Sequence, residues 1–194
     1  MARRRRPRKV DPRTLGAEVA KQMKSAGAFY HRMTGGNAEW WAPESWVRDH
    51  VARRLHQLYR RSVTVEETVR ELRRHGRQKV RGRYPRDSRA GRLDIALWND
   101  TGKVRAIVEF KRTMNPRGLR ADVRRLRNLT RTRVTKYGLE ACFCVVDYVE
   151  QGEERIAEVE KELDVECVAE LWGWGSWDDD PDEERRILYA VFRV

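Results

Sequence analysis

Asp94, Glu109 and Lys111 are the residues of this 194-residue chain whose types and spacing could do chemistry. They lie in one stretch, Arg92 to Lys111 (RLDIALWNDTGKVRAIVEFK), which reads as two strands about a turn of Asn99, Asp100, Thr101 and Gly102. Turn formers of this kind, with a glycine free to take positive φ, are hairpin signals. Folded symmetrically about Thr101 and Gly102, the hairpin sets Asp94 directly opposite Glu109 and Trp98 opposite Arg105. Directly opposed β-carbons stand about 4.5–5.5 Å apart, and like charges so placed destabilise a sheet. A divalent cation between the carboxylates would remove that penalty. Hard oxygen ligands suit Mg2+, which usually takes one or two carboxylates together with waters and phosphate oxygens. Lys111 is one pleat on from Glu109 and on the same face, where it could neutralise the pair or orient a water beside a metal. The plainer alternative is a surface salt bridge between Glu109 and Lys111.

The same stretch alternates with period two. Leu93, Ile95, Leu97, Val104, Ala106, Val108 and Phe110 form an apolar face that predicts core. The other face carries Arg92, Asp94, Ala96 and Trp98 on one strand and Arg105, Ile107, Glu109 and Lys111 on the next. The pattern Leu93-Asp94, an apolar strand, then Val108-Glu109-Phe110-Lys111 resembles the active-site hairpin of the PD-(D/E)xK, or restriction-endonuclease-like, nuclease superfamily. Leu93 stands where the proline of that motif would be. The resemblance implies that Asp94 and Glu109 bind Mg2+, with Mn2+ able to substitute, and that the Phe110 carbonyl is a further ligand. It implies that Lys111 activates or positions the attacking water. Many members carry a further glutamate on the helix before the sheet; Glu44 matches that place by order along the chain, with Asp49 a weaker candidate.

Asp11 and Pro12 predict the N-cap and first position of a helix running to about Tyr30, with Leu15, Val19, Met23 and Ala26 on one face. Gly35-Gly36-Asn37 breaks the chain, and Trp40-Trp41 reads as core cover. Pro43 opens a second helix to about Arg60, striped by Trp46, Val47, Val51, Leu55 and Leu58. Glu44 in its first turn is also accounted for by the helix dipole alone. Ser62 to Glu71 alternates as a first strand, with a helical reading from Glu66 to Arg74 as the alternative. The segment from Gly76 to Gly91 reads as a basic loop flanking the hairpin, and Arg81, Arg83 and Arg89 in it are candidate phosphate contacts.

After Lys111, a loop from Thr113 to Gly118 leads to a helix from about Leu119 to Arg131. Leu119, Val123, Leu126 and Leu129 are its buried stripe; Arg120, Arg124, Arg127 and Arg131, with Arg117 before them, are candidate nucleic-acid contacts. Asp122 and Arg125 could pair with each other or with Lys111. Leu139 to Val149 is nearly continuous apolar sequence and predicts a strand buried on both faces. A helix from Glu153 to Leu163, a strand from Val165 to Leu171 and a terminal strand from Ile187 to Val194 complete the chain. The tryptophans from Trp172 to Trp177 read as cover for a hydrophobic edge, and Asp178 to Glu184 as a solvated acidic loop, because its spacing fits no calcium loop.

The element order predicts an α/β protein with a mixed central sheet flanked by helices. The resemblance implies an α-β-β-β-α-β core over about 43–149, within a nuclease-like domain at 43–194. A basic arm at 1–13 and an N-terminal helical extension at 14–42 would precede it. That arm holds seven basic residues and one acid, half of the chain's net charge of +12, and reads as disordered when alone. Such charge points to an acidic polymer, and no apolar run approaches the ~20 residues of a spanning helix. No apolar segment follows the basic start, so a signal peptide is not expected and the location expected is the cytoplasm. Cys142, Cys144 and Cys167 read as reduced thiols, since a zinc site lacks its other ligands. The function expected is a Mg2+-dependent nuclease hydrolysing DNA phosphodiester bonds, bound through the backbone by the basic loop and helix. The alternative is a non-catalytic nucleic-acid-binding or assembly protein on the same fold. RNA as partner and homodimer formation stay open.

Overall fold

A computed structural model describes residues 10–34, 42–59, 61–75, 91–146, 148–175 and 185–194. The chain is an α/β protein: a six-stranded mixed sheet with helices on both faces. In chain order the elements are α1 (Pro12–Met33), α2 (Glu44–Tyr59), β1 (Val63–Thr68), α3 (Val69–His75), β2 (Arg92–Trp98) and β3 (Val104–Lys111). There follow α4 (Pro116–Arg131), β4 (Tyr137–Val146), α5 (Val149–Leu163), β5 (Glu166–Gly175) and β6 (Arg185–Arg193). The spatial order is β1-β2-β3-β4-β6-β5, and among the described residues only β3 and β4 pair in parallel. Its crossover is α4, as a parallel pair requires. No helix among the described residues is long and apolar enough to cross a membrane.

One face of the sheet is covered by α1 and α2. Leu15, Val19 and Met23 of α1 and Val47, Val51 and Leu55 of α2 bury against Ile95, Val108, Phe110, Phe143 and Tyr189. Asp11 caps α1, accepting from the Thr14 N–H at 3.0 Å, and Pro12 begins it as expected. The helix set apart in the sequence as an extension therefore lies in the largest core cluster. The other face is covered by α4 and α5. Leu119 and Val123 meet Cys142, Cys144 and Phe192, while Leu126 and Leu129 meet Ala96, Trp98 and Ile107. The three cysteines are free thiols, as read from the sequence; Cys142 and Cys144 are buried.

The first-strand prediction, Ser62 to Glu71, is corrected. The strand ends at Thr68 and α3 begins at Val69, because Thr68 and Glu71 form a reciprocal cap. The Glu71 carboxylate accepts from the Thr68 N–H at 2.8 Å, and the Glu71 N–H donates to Thr68 Oγ1 at 3.2 Å. Helix α4 starts at Pro116, inside the predicted loop, because the Asn115 side chain accepts from the Arg117 N–H at 2.9 Å and caps it.

The hairpin also differs in register. Lys103 O accepts from the Asn99 N–H at 2.9 Å, closing a three-residue loop with Gly102 at φ 71°. Trp98 consequently faces Val104, not Arg105. A bulge between Leu97 and Trp98 then shifts the register, and Ile95 faces Val108. Without the bulge Asp94 would fall opposite Val108, with Glu109 on the far face. The irregularity thus restores the opposition of Asp94 and Glu109. The expected single apolar face is split for the same reason: Val104, before the bulge, packs on the α4 side with Trp98. Leu93, past the last paired position, packs there too, beside Val69 and Leu72 of α3.

Candidate functional site

Asp94, Glu109 and Lys111 converge where the β2–β3 ladder ends. Past Ile95 and Val108 the strands no longer pair through backbone alone. The Phe110 N–H donates to Asp94 Oδ2 at 2.8 Å instead, so this carboxylate is held across the opening between the strands. The Asp94 and Glu109 side chains lie against each other, and Glu109 also meets the Asp94 backbone N–H. Burial raises the Asp94 carboxyl above its ordinary range, against the Phe110 N–H and the Arg48 charge. Burial raises Glu109 further, well above the carboxylate range, with Arg125 opposing and Asp94 and Asp122 adding to the rise. Glu109 is only 2% exposed.

Helix α4 supplies the counter-charges. Asp122 Oδ2 lies 3.2 Å from Lys111 Nζ, and Asp122 Oδ1 lies 2.8 Å from Arg125 Nη2. The same Arg125 nitrogen stands 2.9 Å from Glu109 Oε1, an ion pair without the alignment of a hydrogen bond. Burial pulls the Lys111 ammonium down, but Asp122, with Glu44 and Glu140, outweighs it and the net displacement is upward. Lys111 therefore stays a cation through the neutral range.

From the opposite layer, Glu44 in the first turn of α2 accepts from the Arg112 N–H and faces Lys111, Asp94 and Asp122. Burial raises its carboxyl, partly offset by Lys111. Asp49 does not join the group: it pairs with Arg48 at 2.8 Å and is largely exposed. Arg48 also pairs with Glu66 of β1, whose φ of 56° is unusual for a residue with a side chain.

Glu140 was passed over in the sequence. It neighbours Glu109 across the parallel pair β3–β4, is fully buried, and neither oxygen has a hydrogen-bond partner. Burial, then Asp122 and Glu109, push its carboxyl well above the ordinary range. The signal was present: an acid within a run predicted to be buried on both faces. The sequence offers Asp122 and Arg125 as partners of each other or of Lys111; Asp122 pairs with both Arg125 and Lys111, and the ion pair of Arg125 with Glu109 is the addition.

The donor set near the hairpin end is all oxygen, which suits a hard cation. Among the described residues no three of His, Cys, Asp and Glu form a group able to hold a metal by themselves. Asp94 and Glu109 would hold such an ion with waters and substrate oxygens completing its shell, as Mg2+ commonly requires. Glu109 Oε1, buried and without a hydrogen bond, is a lone pair such an ion would satisfy. The fit is to a two-carboxylate site, with the Phe110 carbonyl as the further oxygen the resemblance names.

The cationic candidates separate. Arg81, Arg83 and Arg89 lie outside the described residues, as do Trp40, Trp41, Trp177, the acidic loop and residues 1–9 of the basic arm. Arg120 pairs with Glu162 at 3.2 Å, and Arg127 donates to the Leu163 and Asp164 carbonyls at 2.5 Å, so both are engaged with the end of α5. Arg117, Arg124 and Arg131 are exposed. Trp172 covers Gly152 of α5, whose added β-carbon would stand 2.3 Å from the ring; covering, as predicted, is what this tryptophan does.

Fold and site together define an α/β protein with a carboxylate–lysine group at the end of a sheet hairpin. Comparison with family models, curated proteins and solved structures finds no match to this chain.

Proposed function

We propose that this protein is a Mg2+-dependent nuclease of the PD-(D/E)xK type, hydrolysing phosphodiester bonds in DNA. The observation that carries the reading is the contact of Asp94 with Glu109 at the end of the hairpin ladder, with Lys111 one pleat away and Glu44 brought in from α2. The order α2-β1-β2-β3-α4-β4, with α3 inserted, supports the α-β-β-β-α-β core. Reduced, buried Cys142 and Cys144 support a cytoplasmic location.

A bound Mg2+ would supply polarisation of the scissile phosphate and a lowered pKa for its water. The chain's residues do the rest. Asp94, fixed by the Phe110 N–H, and Glu109, fixed by Arg125, present oxygens in a constant geometry. Lys111, held by Asp122, remains an ammonium; it orients the water and stabilises developing negative charge rather than accepting a proton.

One observation favours the non-catalytic alternative: Glu109 and Lys111 both have ion partners on α4, so the site is already neutralised without a metal. The two readings part on cleavage. Labelled duplex, single-stranded and branched DNA are incubated with Mg2+, Mn2+ or EDTA. Metal-dependent cleavage, lost in Asp94→Asn and Glu109→Gln while both stay folded, is the expected result. Cleavage that survives in both purified variants, or no cleavage of any form, discards the assignment.

A further inference from the structure

The two stripes of arginine on α4 do different things. Residues seven apart lie on nearly the same side of a helix. Arg120 and Arg127 form one such line and face α5. Arg117, Arg124 and Arg131 form another, about 60° round the helix. Among the described residues none of these three has a carboxylate partner, and all are exposed. The second line starts beside the loop that follows Lys111 and ends at the α4–β4 connection.

There it runs into a surface depression of about 330 Å³, at the end of the sheet opposite the candidate active site. Four of its eight lining residues are cations (Lys103, Arg105, Arg133 and Lys136) and none is an acid. Arg105 and Lys136 both lie against the Tyr137 ring, at 5.3 and 5.2 Å from its centroid, which holds two charges that would otherwise repel. None of the four has an ion pair among the described residues. Like charges gathered without counter-charge point to an anion supplied from outside.

We infer that the Arg117–Arg124–Arg131 line and this depression form one track for the phosphate backbone of a nucleic acid, leading from the catalytic end of the sheet to its far end. Successive arginines rise about 10.5 Å along the helix, close to three nucleotide steps of about 3.4 Å on one strand of a duplex. The depression adds an anchor about 20 Å from Lys111, at ~3.3 Å per strand residue. An anionic membrane is less suited, because none of the large exposed apolar side chains described (Phe29, Met33, Val65 and Tyr148) lines the depression. The track deepens the nuclease reading by placing its substrate, but it is tested without catalysis.

The measurement is anisotropy of a labelled 30-base-pair duplex in EDTA, across a salt series. The variants are Arg133→Gln/Lys136→Gln, Lys103→Gln/Arg105→Gln and, as a charge-matched control, Arg13→Gln/Arg193→Gln, whose arginines pair with Glu166. Each track double should lower affinity at least tenfold and reduce the slope of log K against log salt by about 1.8, at 0.9 for each lost phosphate contact. The control should leave the slope unchanged, with melting temperatures reporting folding for all. Equal losses in all three doubles would mean that net charge alone binds, and the track is wrong. Loss of binding to phosphatidylserine vesicles with no loss on DNA would reassign the surface to membranes and equally overturn it. Single-stranded DNA and RNA probes show which backbone the track prefers. Binding is read in EDTA, where no metal-dependent cleavage occurs, so a failed cleavage assay and a failed track remain distinguishable.

Discussion

Arg125 decides the charge balance of the candidate site, because its guanidinium bridges Glu109 and Asp122 in a setting where both carboxylates are nearly buried. Removing one partner of a buried ion pair costs about 3–5 kcal/mol, since the other charge is left without compensation. Arg125→Leu should therefore lower the melting temperature markedly. Millimolar Mg2+ should restore part of the loss by taking the place of the guanidinium beside Glu109. A variant that melts like the wild type would show that the bridge contributes nothing. Glu140 offers a pH test. Its folded-state pKa lies well above the unfolded value, so above about pH 4.3 the folded state binds more protons than the unfolded one. Stability then falls as pH rises through the window between the two values. Glu140→Gln removes that dependence and should raise stability at pH 7–8 while changing little at pH 4; thermal melts across pH read this directly, and a parallel pH profile for the two proteins would refute it. Asp94, Glu109 and Lys111 were legible in the sequence because turn chemistry and period-two alternation are local. The pairing of Arg125 with Glu109 was not, since the side of α4 that meets β3 is set only by tertiary packing.

At the scale of elements, local signals carried helix starts and strand alternation, while partners distant in the chain stayed hidden. The stripe Leu15, Val19, Met23 is plain in the sequence, yet nothing local says that it docks on β5 and β6, more than a hundred residues later. The docking is close: a β-carbon on Gly16 would stand 2.7 Å from Val168 Cγ2 and 3.6 Å from Val191 Cγ1. Valine is stiff at χ1 and cannot swing aside cheaply. Gly16→Ala would gain up to about 1 kcal/mol of helix propensity against about 1–3 kcal/mol of overpacking, so it should destabilise the whole domain. If α1 were a dispensable extension, the same change would stabilise or do nothing, and chemical denaturation separates the two. The hairpin shows the reverse case. Symmetry about the turn predicted the right opposition of Asp94 and Glu109 by the wrong route, since the loop shifts the register and the bulge at Leu97/Trp98 shifts it back. Two compensating irregularities leave no trace in a pattern of alternating residues.

For the molecule as a whole, the site and the stability of the fold are linked. Asp94, Glu109 and Glu140 sit on three adjacent strands, β2, β3 and β4, and all three carboxyls are raised by burial. That stored cost falls on the middle of the sheet, so relieving it should stabilise global unfolding and not merely a loop. A ligand that binds only the folded state stabilises by about 2.7 kcal/mol at a hundredfold excess over its Kd. In a domain of this size each kcal/mol moves the melting temperature by roughly 2–4 °C. Mg2+ or Mn2+ at such an excess should thus raise the melting temperature of the wild type by roughly 5–10 °C. Asp94→Asn keeps an acceptor for the Phe110 N–H while removing one of the opposed charges, and Arg48 retains Asp49 and Glu66 as partners. Without metal that variant should melt above the wild type, and metal should then add little. A plain ion pair between Glu109 and Lys111 predicts neither effect, because in that account no cation is missing. Melts that ignore both the metal and the substitution would leave the carboxylates as structural partners of α4, and the chain as a nucleic-acid-binding protein without cleavage.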